Sequence, residues 1–213
     1  MTTKAESEIQ YWRNVQKKEK NGVLSHRHYE HFYTAHFNLA KSFYKDKRIL
    51  DIGCGPRGSL EWADNTLQRI GLDPLAESYK ELGIDNQKML YVSSPAENIP
   101  FPDEYFDVVT SFNSLDHVDD IDKTIEEIIR VTKLGGFFLL LTDINHKPTA
   151  TEPISFSWDI LEKFQPQMRV FEKIFYEKSQ YGIYQSITAG VLYDHSNTQE
   201  RYGVLSAKMQ KCF

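Results

Sequence analysis

Apolar positions are sparse and largely aromatic over the first 45 residues, then change character abruptly. In the opening stretch helices are predicted over about 7–20 and 28–44, with Asn21-Gly22 as the stop between them. Phe32, Ala35, Leu39 and Phe43 recur at helical spacing, so one face of the second helix should be covered. From Arg48 onward, short apolar runs ending in Gly or Asp alternate with helix-like stretches. Strands are predicted at 48–52, 69–73, 89–92, 106–112 and 136–142, with helices near 59–65, 75–82 and 121–131. The last of these is the best specified: Asp119 or Asp120 can cap it, Ile121, Ile125, Ile128 and Ile129 share a face, and Gly135-Gly136 should stop it. Such alternation implies a parallel sheet covered on both faces, and the unbroken apolar run 137–141 suits a central strand. Beyond it, residues 146–157 with Pro148 and Pro153 read as a long loop, followed by a short helix at 158–164 and strands at 168–177 and 202–211. The Tyr/Gly/Ser-rich stretch 178–199 gives no pattern.

Composition narrows the class. The 213 residues fit one domain, and 40% hydrophobic with 26% charged residues is globular usage. Two cysteines, Cys54 and Cys212, exclude a disulfide framework and suit a reducing, cytoplasmic setting. A net charge of −5 gives no general attraction to nucleic acid. The N-terminus lacks the apolar core of a secretory signal, and the longest apolar run is far short of the ~20 residues of a membrane helix. A soluble chain with no membrane or nucleic-acid partner is expected.

The chemistry concentrates at 48–58, where a buried strand enters the glycine turn Gly53-Cys54-Gly55-Pro56-Arg57-Gly58. Gly53 and Gly55 let the backbone turn tightly and a ligand approach closely. Asp51 ends the strand, and 22 residues later the second strand ends in Asp73, which can accept from both hydroxyls of a ribose. A nicotinamide dinucleotide would use similar parts. Asp51 separates the two readings, because a carboxylate there suits a cationic amino-acid moiety and repels a pyrophosphate.

These residues resemble the first and second motifs of the class I S-adenosylmethionine-dependent methyltransferases, in particular the small-molecule, type 11-like branch. The resemblance runs in order through residues 47–143: 49–55, Leu72-Asp73, 94–103, 105–109, 111–120 and 133–136. It implies a Rossmann-like α/β fold, a seven-stranded mixed sheet of five parallel strands and an antiparallel terminal pair, with helices on both faces. The expected layout is a single domain, 1–213, with an N-terminal helical cap at 1–45, a cofactor-binding core at 46–145, and a substrate-side loop and terminal strands at 146–213. S-adenosylmethionine would lie with its methionine end on Asp51 and on Gly53, Cys54 and Gly55, its ribose on Asp73 beside Pro74, and its adenine near Ala96. Two departures stand out. Arg57 occupies the position of a usual third glycine, and Pro95 that of an adenine-binding Asp, so Glu97 or a carbonyl would have to hold the exocyclic amine. Asn113 and Asp116, in the loop after the fourth strand, are plausible binding contacts.

The implied activity is methyl transfer to an oxygen or nitrogen of a small molecule of glycan or secondary metabolism. A non-catalytic protein that binds S-adenosylmethionine or S-adenosylhomocysteine is the alternative. His117, on the rim after the fourth strand, is the leading candidate for a general base, weighed against stacking on adenine or capping the next helix; His146 and His195 stand behind it. Cys54 at a helix N-terminus could be a nucleophile but reads better as a small side chain tolerated in an occupied turn. His26, His28, His31 and His36 lack a zinc framework's spacing and read as a solvated helix face. Asp143 and Asn145 with Asp116 or Asp119 could hold Mg²⁺, but a metal-free site is the expectation. Tyr176, Tyr181, Tyr184, Tyr193 and His195 could wall a pocket or pack on the sheet edge.

Overall fold

The computed structural model describes residues 3–213, so Met1 and Thr2 of the expected cap lie outside the described residues. Seven strands form one sheet: β1 (Arg48–Ile52), β2 (Gln68–Leu72), β3 (Leu90–Val92), β4 (Phe106–Phe112), β5 (Thr132–Ile144), β6 (Met168–Glu177) and β7 (Gly203–Lys211). Their order is β3-β2-β1-β4-β5-β7-β6. The first five run parallel, with Asp51 opposite Gly71 and Thr110; β7 enters antiparallel between β5 and β6. This is the mixed sheet expected from the sequence.

Side-chain alternation along the buried strands divides the core into two layers. Leu50, Ile52, Phe138 and Leu140 face one side, where helix α3 (Ile121–Val131) lays down Ile125, Ile128 and Val131, and Phe164 joins them. Ile49, Val108, Leu139 and Leu141 face the other, against Tyr33, Phe37 and Tyr44 and the helices α2 (Tyr29–Tyr33) and α4 (Ile183–Ala189). Asp120 caps α3 by accepting the Lys123 N–H at 3.1 Å. The Gly135-Gly136 pair does not stop that helix. It ends at Val131, and the chain enters β5 directly at Thr132, with Gly136 pressed close to the Asp107 carbonyl.

Three expected helices are shorter or absent. Residues 28–44 break at Thr34, whose hydroxyl donates to the Glu30 carbonyl, and again at Asn38 in the left-handed region (φ 54°), leaving α2 and two 3-10 turns. Residues 59–65 form consecutive turns, with Leu60, Trp62 and Ala63 all buried. Residues 75–82 reach only a 3-10 turn, Ser78–Leu82, ended by Gly83 at φ 90°.

Helix α1 (Lys4–Lys18) starts with a capping box between Thr3 and Glu6 and buries no residue completely. Ile9, Trp12 and Val15 pack against Tyr79, Leu82 and Ile84, and Arg13 pairs with Glu81 at 2.7 Å. Among the described residues no helix is long and apolar enough to cross a membrane.

Candidate functional site

The carboxyl ends of β1, β2, β4 and β5 carry the chemistry-bearing residues to one edge of the sheet, with α1 lying across them. Gly53 and Gly55 take φ of 67° and 58°, conformations that favour glycine. A side chain on Gly53 would run into Ser114, which is fixed by donating its hydroxyl to the Ile52 carbonyl at 2.7 Å. A Cβ on Gly55 would come within 2.9 Å of the Trp12 ring. Arg57 explains its departure from the glycine pattern. Its guanidinium pairs with Glu19 at 2.7 Å, donates to the Ser25 carbonyl at 2.9 Å and lies over the Trp12 ring, so it ties α1 to the turn.

Asp51 is 2% exposed and its carboxylate accepts from Tyr33, Ser59 and Thr110 hydroxyls, the first at 2.9 Å and the last at 2.6 Å. Burial pushes its pKa up to about 6 despite those bonds. Two of these donors share Oδ2 and one sits on Oδ1, so Oδ1 keeps one lone pair. Asp73, at the end of β2, accepts the Gly55 N–H on Oδ2 at 3.1 Å and the Leu75 N–H on Oδ1 at 2.9 Å. The Tyr79 hydroxyl is a third partner of this carboxylate, which leaves one of its four lone pairs for a further hydroxyl. Burial pushes Asp73 up to about 6 as well, against those two backbone bonds and with added repulsion from Glu8.

The remaining expected contacts vary. Ala96 is buried beside Ile99 and Leu72. The Glu97 Oε1 accepts the Asp119 and Asp120 N–H groups at 2.7 and 3.0 Å, so that oxygen is committed to the start of α3. Pro74 is exposed and its carbonyl accepts from the Ser93 hydroxyl at 3.1 Å. Asn113 is exposed at φ 56°, its N–H held by the Leu141 carbonyl at 2.8 Å. The Cys54 thiol is buried and burial pushes its pKa well up, the opposite of an activated nucleophile.

On the rim after β4, the loop and helix α1 bring together a group that the sequence did not connect. His117 Nδ1 lies 3.1 Å from Glu8 Oε1, and its Nε2 faces Glu152 Oε1 at 3.7 Å and Asp116 Oδ1 at 4.0 Å. Burial works against a proton on His117, yet the Glu8 hydrogen bond and the charges of Asp116, Glu8 and Glu152 hold its pKa above the usual value. His146 is buried, with Nε2 2.7 Å from the Ile154 carbonyl and 3.5 Å from Asp116 Oδ2. His195 is not brought here. Its ring packs among Trp158, Phe175 and Tyr193 beside the edge strand β6. Asp143 is paired with Lys178, which engages it away from the Asp/Asn set that could have held Mg²⁺. The tyrosines divide: Tyr184 packs on Tyr29 and Phe32 against the Asp51 side, Tyr193 stacks under Arg201, and Tyr181 is exposed. Glu8, Trp12 and Glu152 carried no sequence signal, since each is an ordinary polar or aromatic position on a helix or loop far along the chain from the motif.

Residues 50–140 match the family model described as a methyltransferase domain. The chain is 33% identical over 104 residues to the uncharacterized methyltransferase YcgJ of Bacillus subtilis, covering 45% of this chain and 40% of that protein. It is 34% identical over 128 residues to the ubiquinone/menaquinone biosynthesis C-methyltransferase UbiE of Vibrio parahaemolyticus, covering 53% and 46%. The match thus spans under half the length of these relatives. In fold, a Haloferax volcanii methyltransferase, solved in complex with a methyltransferase activator, superimposes with a TM-score of 0.66 over 97% of this chain and 98% of that one at 15% identity.

Proposed function

We propose that the chain is a class I, S-adenosylmethionine-dependent methyltransferase, supported by the match of residues 50–140 to the methyltransferase-domain model, and that it transfers a methyl group from this cofactor to an oxygen or nitrogen atom of a small-molecule acceptor. The observation that carries the reading is the meeting of Asp73 Oδ2 with the Gly55 N–H at 3.1 Å, which joins a carboxylate suited to a ribose to the glycine turn after β1. The residues present fit the cofactor: Gly53 and Gly55 hold the tight left-handed turn after β1, and Asp73 retains a free lone pair. Asp73 with neighbouring Pro74 would hold the ribose, Asp51 and the backbone of Gly53, Cys54 and Gly55 the methionine end, and Ala96 the adenine face. Asn113, exposed in the loop after β4, would add a contact to the cofactor.

When bound, the cofactor supplies an electrophilic methyl on a sulfonium. The protein's own work is to align the acceptor with the C–S bond and to keep water out, which Trp12 and the aromatic layer of Tyr29, Tyr33 and Tyr184 suit. Burial opposes a proton on His117 while Glu8, Asp116 and Glu152 raise its pKa, and this ring on the rim would contact the acceptor. The polar rim of Asp116, His117 and His146 supports an acceptor presenting O–H or N–H. The Vibrio relative is by name a C-methyltransferase, so carbon is the outcome that would revise the atom.

Incubation with methyl-labelled cofactor and a cell extract tests the reading. Label appearing in a low-mass product only when the chain is present supports it. Binding without turnover would favour the non-catalytic alternative, and absence of calorimetric heat with both S-adenosylmethionine and S-adenosylhomocysteine would remove it.

A further inference from the structure

Two buried polar atoms on the rim have no hydrogen-bond partner, Asp116 Oδ1 and His117 Nε2, and they face each other across 4.0 Å. An unpaired carboxylate oxygen on a residue 3% exposed is costly unless something fills the gap. Glu152 Oε1 closes the third side, 3.7 Å from His117 Nε2, and this carboxylate has no other side-chain partner among the described residues. Donor atoms of Asp116, Glu152 and His146 also lie within 4.8 Å of one another. Ligands about 2.0–2.1 Å from a tetrahedral ion stand roughly 3.4 Å apart, so Glu152 Oε1 at 3.7 Å and Asp116 Oδ1 at 4.0 Å from His117 Nε2 need to close by only a few tenths of an ångström around that nitrogen.

The ring of His117 is already set for such a role. Its Nδ1 is engaged by Glu8 at 3.1 Å, the carboxylate–histidine pairing that fixes a metal-bound imidazole and leaves Nε2 as the ligand atom. His146 belongs behind the ligands: its Nε2 faces the Ile154 carbonyl at 2.7 Å and backs Asp116 at 3.5 Å. We propose that Asp116, His117 and Glu152 form a binding site for one divalent cation, with its remaining positions left to water or to an oxygen ligand. Two carboxylates neutralise the ion's charge, and one imidazole with two carboxylates suits Zn²⁺ or Mn²⁺ better than Ca²⁺. The partly exposed side of Glu152, 37% of its side chain, is the open side. The site does not depend on the methyl-transfer reading, since none of its ligands belongs to the cofactor turn.

Protein stripped with a chelator and dialysed is titrated with Zn²⁺ or Mn²⁺ alone by calorimetry, and Co²⁺ is added in parallel to record its visible absorption. One ion per chain is expected, with a Co²⁺ spectrum of nitrogen and oxygen ligation. Glu152→Gln and His117→Gln should each weaken binding by at least about tenfold while circular dichroism stays unchanged. Asp73→Ala should leave the ion's affinity as it is, which separates this site from the cofactor site. No saturable binding up to about 1 mM, or binding that both substitutions leave intact, as the histidines at 26–36 would produce, overturns the proposal.

Discussion

Asp51 and Asp73 are both shut away from water, although Pro74 beside Asp73 is exposed, and burial raises the pKa of each to about 6 when folded. An unfolded Asp releases its proton near 3.9, so between about pH 4 and 6 the folded state binds more protons. Stability from these two groups is therefore fully present at low pH and is lost as pH rises through about 6. Glu127, held below the usual carboxylate range by the Arg130 guanidinium, has the opposite sign but acts only at lower pH. Urea unfolding across pH 4.5 to 7.5 should show Asp51→Asn flattening the slope relative to wild type, by on the order of 1–3 kcal/mol over the window. An unchanged slope would mean that Asp51 is solvated. At the same scale, Asp73→Ala should weaken S-adenosylhomocysteine binding by on the order of 1–3 kcal/mol in calorimetry, the loss of hydrogen bonds to the ribose. Gly53→Ala meets both a left-handed φ and the Ser114 side chain, and a drop in melting temperature of several degrees is expected by calorimetry.

The helices differ in how firmly they are held. Helix α3 is clamped by its Asp120 cap and by Ile125, Ile128 and Val131 in the core, so Asp120→Ala should cost about 1 kcal/mol, read from denaturant midpoints. Helix α1 rests on the molecule through half-buried side chains and a few ion pairs, with no residue fully enclosed. It should exchange its amide hydrogens fastest of the four helices, and S-adenosylhomocysteine should slow that exchange, because Trp12 lies at the Gly55 turn. Equal protection of α1 and α3 in the free chain would contradict this. The sequence made α3 readable to the residue because cap and apolar stripe agree. It misplaced α1 by a few positions and overextended the second helix, because the spacing of Phe32, Ala35, Leu39 and Phe43 says nothing of the Thr34 and Asn38 backbone that breaks it.

For the molecule as a whole, the strands were the legible part. The run 137–141 is apolar on both faces, as a strand covered on both sides requires. The Gly53–Gly55 turn and Asp73 were legible for a related reason, since their chemistry lies within one strand–turn unit. The rim was not, because it joins Glu8, His117 and Glu152 across more than a hundred positions, and no local pattern encodes such a meeting. The same separation marks the sheet itself: β7, the last strand in sequence, is wedged between β5 and β6. During synthesis both of those strands leave the ribosome before their shared neighbour does, so the apolar edge of 137–141 waits bare until residues 203–211 follow. Nascent chains stalled short of that point should cling to holdase chaperones and resist release, while ones a few tens of residues longer should let go.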